Sequence, residues 1–289
     1  MRHLAKVAAV LFLPIILAAS AGTLDGTFAL QTGGAKSHGY LRATATADPL
    51  DEHLDIWMTP ENGTRAILRY TVDMTKLLHV ICVSDDFVHF LHIHPVLGSD
   101  GHFTIDQRFP AAGPYHIYAD GEPQGLGQQV FRFDLPVASG AASSTRTLPP
   151  AARIASAGPY AVELSTTSVL AGRDSAVIVH IRKSGKPARD LHPYLGALAH
   201  AVLLDTKDLS YVHVHPMPLA AERAGSMAGM DMSSMSGMGG MDMTLPDSAT
   251  SSPAMELHLH LREAGAYKLW LQFRGGASLY VAPFAVTAR

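Results

Sequence analysis

Two segments of the chain each contain the pattern His-x-His-Pro. His92 and His94 form the first pair, and His213 and His215 form the second. Residues two apart in a β-strand point to the same face, so each pair presents two imidazoles side by side. Neutral imidazole binds borderline cations such as zinc and copper. The pattern therefore predicts a metal site at each pair.

A third imidazole accompanies each pair at the same distance along the chain. His79 precedes His92, and His200 precedes His213, by thirteen residues in both cases. This spacing suits the preceding strand of an antiparallel meander, which places the third ring beside its pair. The two predicted sites are therefore His79, His92 and His94 in the first half, and His200, His213 and His215 in the second.

The second half contains one more pair of the same kind. In "MELHLHL" (255–261), His258 and His260 alternate with leucines that we expect to face the core. We include both histidines in the second predicted site, and His102 or His89 as further candidates for the first. The alternative interpretation is that these histidines are ordinary polar side chains of a structural sheet.

A run of methionines indicates a different metal chemistry. Only Gly, Ser, Ala and Asp separate its seven members, and they follow neither a helical nor a strand period, so core packing does not account for them. The thioether is a soft donor that selects Cu(I) over zinc, magnesium or calcium. The alternatives are a plain flexible linker or a hydrophobic docking loop. The predicted Cu(I) ligands are Met227, Met230, Met232, Met235, Met238, Met241 and Met243.

An internal repeat organises these ligands. "HVICVSDDFVHFLHIHP" (79–95) aligns without a gap on "HAVLLDTKDLSYVHVHP" (200–216), and "FPAAGPYHIYAD" (109–120) aligns on "LREAGAYKLWLQ" (261–272). Between the two blocks the first copy has only a short turn. The second copy has an insert at about 219–254 that contains the methionine run.

Each copy has the pattern of a small all-β domain. Short segments such as "RAILRYTV" (65–72) and "LLHVICV" (77–83) are apolar or alternate in polarity, turn residues separate them, and no amphipathic helical pattern appears. Several short strands in a domain of this size are typical of an immunoglobulin-like sandwich. The predicted fold class is all-β, with two tandem immunoglobulin-like antiparallel β-sandwiches and a flexible Met-rich loop insert.

The start of the chain resembles a secretory signal. Arg2 and Lys6 precede an apolar stretch, and Ala19-Ser20-Ala21 fits the small-x-small cleavage rule, so we predict a signal peptide at 1–21 and a periplasmic or secreted protein. An uncleaved anchor is the alternative. We predict the first sandwich domain at 22–140, a linker at 141–150 and the second domain at 151–289.

Charge and cysteine content exclude other functions. The net charge is −3 and no basic cluster appears, so a nucleic-acid partner is not expected, nor is a membrane partner after signal cleavage. Cys82 is the single cysteine, so no internal disulfide forms, and its apolar surroundings predict a buried small side chain. It has no neighbouring ligand of the kind that a blue-copper site requires.

Two resemblances support a metal-handling function. "GMDMSSMSGMGGMDM" (229–243) resembles the Met-rich segments of bacterial periplasmic copper-resistance proteins, including multicopper oxidases and β-sandwich copper carriers. The segment "DLHPYLGALAHAVLLDTKDLSYVHVHP" (190–216), followed by "AGAYKLWLQF" (264–273), is similar to a family of secreted bacterial proteins often labelled heavy-metal-binding. This likeness covers most of residues 160–289 and, more weakly, the first copy. The resemblance implies an exported metal-handling β-sandwich. The chain lacks the His-Cys-His run of the multicopper oxidases, so their reaction is not implied.

The sequence therefore predicts an exported copper-binding protein for copper buffering, tolerance or delivery. We expect Cu(I) at the methionine run, Cu(II) or zinc at the histidine sites, and a periplasmic oxidase or efflux component as partner. We do not expect an enzyme. The alternatives are a copper-dependent redox enzyme with a three-histidine site, and an interaction module that binds no metal.

Overall fold

The computed structural model describes residues 22–31, 33–138, 145–219 and 244–289. Within these ranges the chain forms twenty-three β-strands and no helix, and it has no helix suited to crossing a membrane. The predicted signal peptide (1–21) and all seven methionines of the run lie outside the described residues, as does 141–144 of the predicted linker.

The first eleven strands form one sandwich of two antiparallel sheets. One sheet has the strand order β1-β3-β4-β9-β8, and the other has the order β2-β11-β10-β6-β7, with β5 paired to β10. Side chains from both sheets meet in one core, which includes Leu54 and Phe103 from one sheet and Ile117 from the other. The strands are β1 (Thr23–Asp25), β2 (Thr27–Phe28), β3 (Ser37–Ala45), β4 (Asp51–Pro60), β5 (Tyr70–Thr71), β6 (Leu78–Ser84), β7 (Phe90–Ile93), β8 (Val96–Leu97), β9 (Phe103–Arg108), β10 (Gly113–Pro123) and β11 (Gln129–Val137).

The remaining twelve strands form a second sandwich. Its sheets have the orders β12-β13-β15-β21-β20 and β14-β23-β22-β18-β19, with β16 paired to β15 and β17 paired to β22. Val179 and Leu257 meet Leu269 and Phe284 in its core. The strands are β12 (Ile154–Ala157), β13 (Tyr160–Leu164), β14 (Ser168–Val169), β15 (Asp174–Lys183), β16 (Lys186–Pro187), β17 (Leu191–His192), β18 (His200–Asp205), β19 (Tyr211–Val214), β20 (Met217–Pro218), β21 (Ala254–His260), β22 (Gly265–Gly275) and β23 (Ser278–Ala288).

The strand order confirms the predicted fold class. In the second sandwich, β13-β15-β21-β20 and β23-β22-β18 match the A-B-E-D and G-F-C sheets of an immunoglobulin domain. The first sandwich repeats this arrangement with β3-β4-β9-β8 and β11-β10-β6. The aligned repeat segments also occupy equivalent strands, β6, β7 and β10 in one sandwich and β18, β19 and β22 in the other.

One predicted strand is wrong. The segment 65–72 is mostly irregular, and only Tyr70 and Thr71 join a sheet, as β5. The apolar residues of this segment are divided between environments, since Ile67 packs on the first core while Leu68 is 58% exposed. Cys82, in contrast, is fully buried in the first core, as predicted.

The two sandwiches pack against each other through one sheet of each. In β6, Leu78, Val80 and Cys82 contact the first core, whereas Ile81 and Val83 belong to a separate apolar cluster. That cluster combines residues of both sandwiches: Ala29, Ile81, Val83, Phe87, Tyr118, Val130, Val202, Leu204, Leu209, Tyr211 and Trp270. Strands β6 and β18 are therefore buried on both faces, which explains why they read as continuous apolar runs.

Candidate metal centre

Six predicted ligands meet in one cluster between the two sandwiches. The prediction placed one histidine site in each half; the structure brings the two sets together because β6 and β18 face each other across the interface. Ring centroids of His92 and His200 are 5.0 Å apart, and those of His79 and His213 are 5.4 Å apart. The histidine cluster consists of His79, His92, His94, His200, His213 and His215.

The first set of three presents its nitrogens to one point. His79 Nδ1 lies 3.0 Å from His92 Nε2, and His94 Nε2 lies 3.3 Å and 3.1 Å from these two atoms. A tetrahedral ion with metal–nitrogen distances of about 2.0 Å has nitrogen–nitrogen edges of about 3.3 Å. The spacing of the first set therefore suits three ligands of one such ion.

The second set repeats this arrangement more loosely. His200 Nδ1 lies 3.4 Å from His213 Nε2, and the ligand nitrogens of His200, His213 and His215 all lie within 4.8 Å of one another. His215 Nε2 is buried and has no hydrogen-bond partner among the described residues. A buried polar atom without a partner is uncommon and points to a ligand.

Hydrogen-bond acceptors outside the cluster determine which nitrogen of a ring carries the proton. His79 Nε2 donates to the carbonyl of Asp73 at 3.0 Å, and His200 Nε2 donates to the carbonyl of Tyr194 at 2.9 Å. His92 Nδ1 donates to Gln272 Oε1 at 2.8 Å. In a neutral imidazole only one nitrogen carries a proton, so the inward nitrogen of each ring presents a lone pair.

The proton of His213 is assigned by a carboxylate. His213 Nδ1 lies 3.2 Å from Asp120 Oδ2, which also accepts from the Tyr211 hydroxyl, while Gln128 donates to the other oxygen. Burial raises the pKa of the Asp120 carboxyl, and the Gln128 and Tyr211 hydrogen bonds oppose this effect. A carboxylate on the outer nitrogen of a ligand histidine fixes its orientation and strengthens it as a donor.

Burial favours the neutral form of His92, His94, His200 and His213. It lowers the pKa of His92 to about 3 and that of His94 to about 2, with nearby imidazoles adding to the effect. For the same reason the pKa values of His200 and His213 lie well below the ordinary range. His79 Nδ1 and His92 Nε2 therefore face each other without a proton between them, and so do His200 Nδ1 and His213 Nε2.

Other predicted ligands lie elsewhere. His258 and His260 alternate with buried leucines on β21, as expected, but β21 belongs to the sheet of the second sandwich that does not face the interface. Both side chains are exposed, and His260 contacts Asp174 at 2.8 Å. The structure therefore does not bring them together with His200, His213 and His215.

The two further candidates for the first site are also outside the cluster. His102 contacts Asp55 at 2.6 Å and stacks on Trp57. His89 follows the turn after β6, where its backbone N–H donates to Ser84. The predicted methionine ligands lie outside the described residues.

The sequence prediction missed the residues that hold the histidines. Asp120 and Gln272 occupy equivalent positions of the repeat, each the last residue of its aligned segment. Each also pairs with the buried histidine of its own sandwich, since Asp120 is opposite His79 and Gln272 is opposite His200 in the sheets. A polar residue at the same position of the two aligned apolar strands is the signal that could have found them.

The fold and the histidine cluster define a tandem immunoglobulin-like β-sandwich protein with imidazoles gathered between its sandwiches. Residues 155–289, which span nearly all of the second sandwich, match a family model described as Domain of unknown function (DUF8832). No curated protein matches the chain.

Among solved structures, eighteen chains match. One is a crystal structure of a mutant Salmonella alpha-2-macroglobulin, with 11% sequence identity and a TM-score of 0.20. The match covers 90% of this chain but only 15% of that chain, so this chain spans a small part of its length.

Proposed function

We propose that this chain is an exported copper-binding protein that holds copper in the histidine cluster. The observation that carries the proposal is the opposition of unprotonated nitrogens, with His79 Nδ1 and His92 Nε2 only 3.0 Å apart. A buried polar atom left without a partner costs about 1–3 kcal/mol. A bound cation between these atoms removes that cost.

The donor set favours copper among the cations. The inward ligands are all imidazole nitrogens, which suit copper and zinc and not the oxygen-seeking magnesium or calcium. Copper(II) binds nitrogen sites more tightly than the other divalent first-row metals. The seven thioethers of the methionine run add a donor that is selective for Cu(I). Zinc competes with copper for the histidine cluster.

Burial supports holding and delivery of metal over turnover. His79 and His200 are each 1% exposed, which leaves no open space for an organic substrate beside them. Access to the cluster is through the half-buried rings of His94 and His215. We therefore propose copper buffering, tolerance or delivery, with a periplasmic oxidase or efflux component as the partner.

The test is metal affinity of paired variants. Competitive titration with Cu(II), Zn(II) and, without oxygen, Cu(I) compares the purified chain with H213A/H215A and with H258A/H260A as the matched control. We expect H213A/H215A to lose the Cu(II) and Zn(II) that the second set of histidines binds, and the control to bind as much as the unaltered chain. Equal metal content and equal affinity of both variants overturn the proposal.

A further inference from the structure

We infer that the histidine cluster is a dinuclear centre, with one ion on each set of three histidines; this inference rests on the proposed function. Each set supplies its own three inward nitrogens. Within the first set these lie 3.0, 3.1 and 3.3 Å apart, and within the second His200 Nδ1 and His213 Nε2 lie 3.4 Å apart.

The two sets are held by equivalent devices. The upstream histidine of each set donates to a carbonyl six residues earlier, Asp73 for His79 and Tyr194 for His200. Asp73 and Tyr194 form equivalent isolated β-bridges: Asp73 pairs with Lys76, and Tyr194 pairs with Ala197. The same geometry is thus built twice, which is the arrangement expected for two separate ligand sets.

A single ion cannot coordinate all the unprotonated nitrogens that face into the cluster. An ion on the first set leaves His200 Nδ1 and His213 Nε2 still opposed, and leaves His215 Nε2 buried without a partner. An ion on the second set leaves His79 Nδ1 and His92 Nε2 of the first set opposed at 3.0 Å. Two ions provide every inward lone pair with a partner.

The charges around the cluster suit two cations. The Asp73 carboxylate lies 4.0 Å from His79 Nε2, and the Asp120 carboxylate lies 3.2 Å from His213 Nδ1. Each set therefore has one acidic residue against its outer side. The opposite charge reduces the repulsion between two ions held close together.

The ions are expected to be close enough to interact. One nitrogen each of His79, His92 and His200 lie within 4.8 Å of one another although they belong to different sets. Paired metal sites in proteins are typically about 3.5–4 Å apart. Two Cu(II) ions at such a distance couple magnetically, which isolated Cu(II) ions do not.

The experiment measures stoichiometry and spin together. The full chain is loaded with Zn(II) or with Cu(II), washed against a weak chelator, and analysed for metal content and for the Cu(II) electron paramagnetic resonance signal. We expect two ions of either metal per chain and a Cu(II) signal well below two spins. Acid denaturation should restore the full signal, which excludes reduction to Cu(I).

Single substitutions in each set provide the second readout. H94A and H215A change the least buried ring of each set, so folding should be preserved. We expect each variant to bind one ion with an uncoupled, full-intensity Cu(II) signal, and H258A/H260A to match the unaltered chain. One ion in the unaltered chain, or two ions with uncoupled spins, overturns the dinuclear centre and leaves the proposed function standing. No bound metal at all overturns both.

Discussion

The two halves of the molecule build the same three-histidine set but hold it with different chemistry. His213 in the second half is hydrogen-bonded by the carboxylate of Asp120, whereas His92 in the first half is hydrogen-bonded by the amide of Gln272. Each of these partners comes from the opposite sandwich. Neither half therefore completes its own set, and the difference between carboxylate and amide makes the two sets unequal as ligands.

The halves also differ away from the cluster. In the first, β2 pairs antiparallel with the last strand of its sheet, while in the second β14 pairs parallel with β23. The short turn between β8 and β9 corresponds to the long insert between β20 and β21. Its described end contacts the turn that contains Tyr194, since Leu245 N donates to the carbonyl of Gly196, two residues after Tyr194.

The largest expected effect is a loss of stability in acid, to which histidines of both halves contribute. The folded-state pKa of His92, about 3, and the lowered pKa values of His200 and His213 lie below the unfolded value of about 6.5, so the unfolded chain binds more protons as the pH falls below that value. Stability of the metal-free protein therefore falls as the pH drops from about 6.5 toward 3. Each such histidine contributes up to about 1.4 kcal/mol per pH unit.

Urea unfolding of the chelator-treated chain at pH 7, 5 and 4 measures this loss. We expect the midpoint to fall at each step and bound Zn(II) to reduce the fall, because metal binds only the neutral rings. An unchanged midpoint between pH 7 and pH 4 would contradict the neutral buried cluster.

A smaller effect separates the two halves. D120N replaces the carboxylate on His213 with an amide of the kind that His92 has. Loss of a carboxylate that is hydrogen-bonded to the outer nitrogen of a ligand histidine typically lowers metal affinity by about 10–100-fold. We expect that loss for D120N in an H94A background, where only the second set binds, measured by Zn(II) competition.

The reciprocal change is Q272E in an H215A background, which should raise the affinity of the first set. D134N is the matched control, because Asp134 binds His116 outside the cluster at 2.6 Å. If D120N and D134N have equal affinity, the two halves are not distinguished by this residue.

A still smaller effect on the fold is expected from removing the methionine run. Deleting residues 225–243 should lower the amount of Cu(I) bound, because it removes every clustered thioether. The free energy of unfolding should change by less than about 1 kcal/mol, since long surface loops are tolerated. Anaerobic Cu(I) titration and urea unfolding of the same sample give both values. A deletion that unfolds the chain would show that the segment is structural.

The smallest effect is expected at the exposed pair of β21. H258A/H260A should leave metal affinity unchanged and shift stability by no more than about 0.5 kcal/mol, as surface substitutions generally do. A loss of Zn(II) affinity comparable with that of H213A/H215A would restore these histidines to the site.

Local patterns in the sequence determined the sandwiches and most of the ligands. The gapless repeat identifies equivalent strands, and the His-x-His spacing identifies rings that share a face, because both depend only on the period of a β-strand. Six of the eight predicted histidine ligands lie in the cluster for that reason. His258 and His260 satisfy the same local rule, and their spacing alone does not distinguish them from the other pairs.

Only the tertiary structure decided which faces meet. The outward faces of β6 and β18 are apolar at Ile81 and Val202, so the two sheets bury them against each other and bring His79 and His200 together. Within the part of the chain that the structure describes, the outward face of β21 has no such partner, and its histidines stay exposed. The hydrogen bonds of Asp120 and Gln272 to histidines of the opposite sandwich follow from the same packing. Asp120 and His213 are separated by 93 positions in the chain, and His92 and Gln272 by 180. Strand periodicity determines which side chains share a face, but the burial of one face against another is a property of the folded whole.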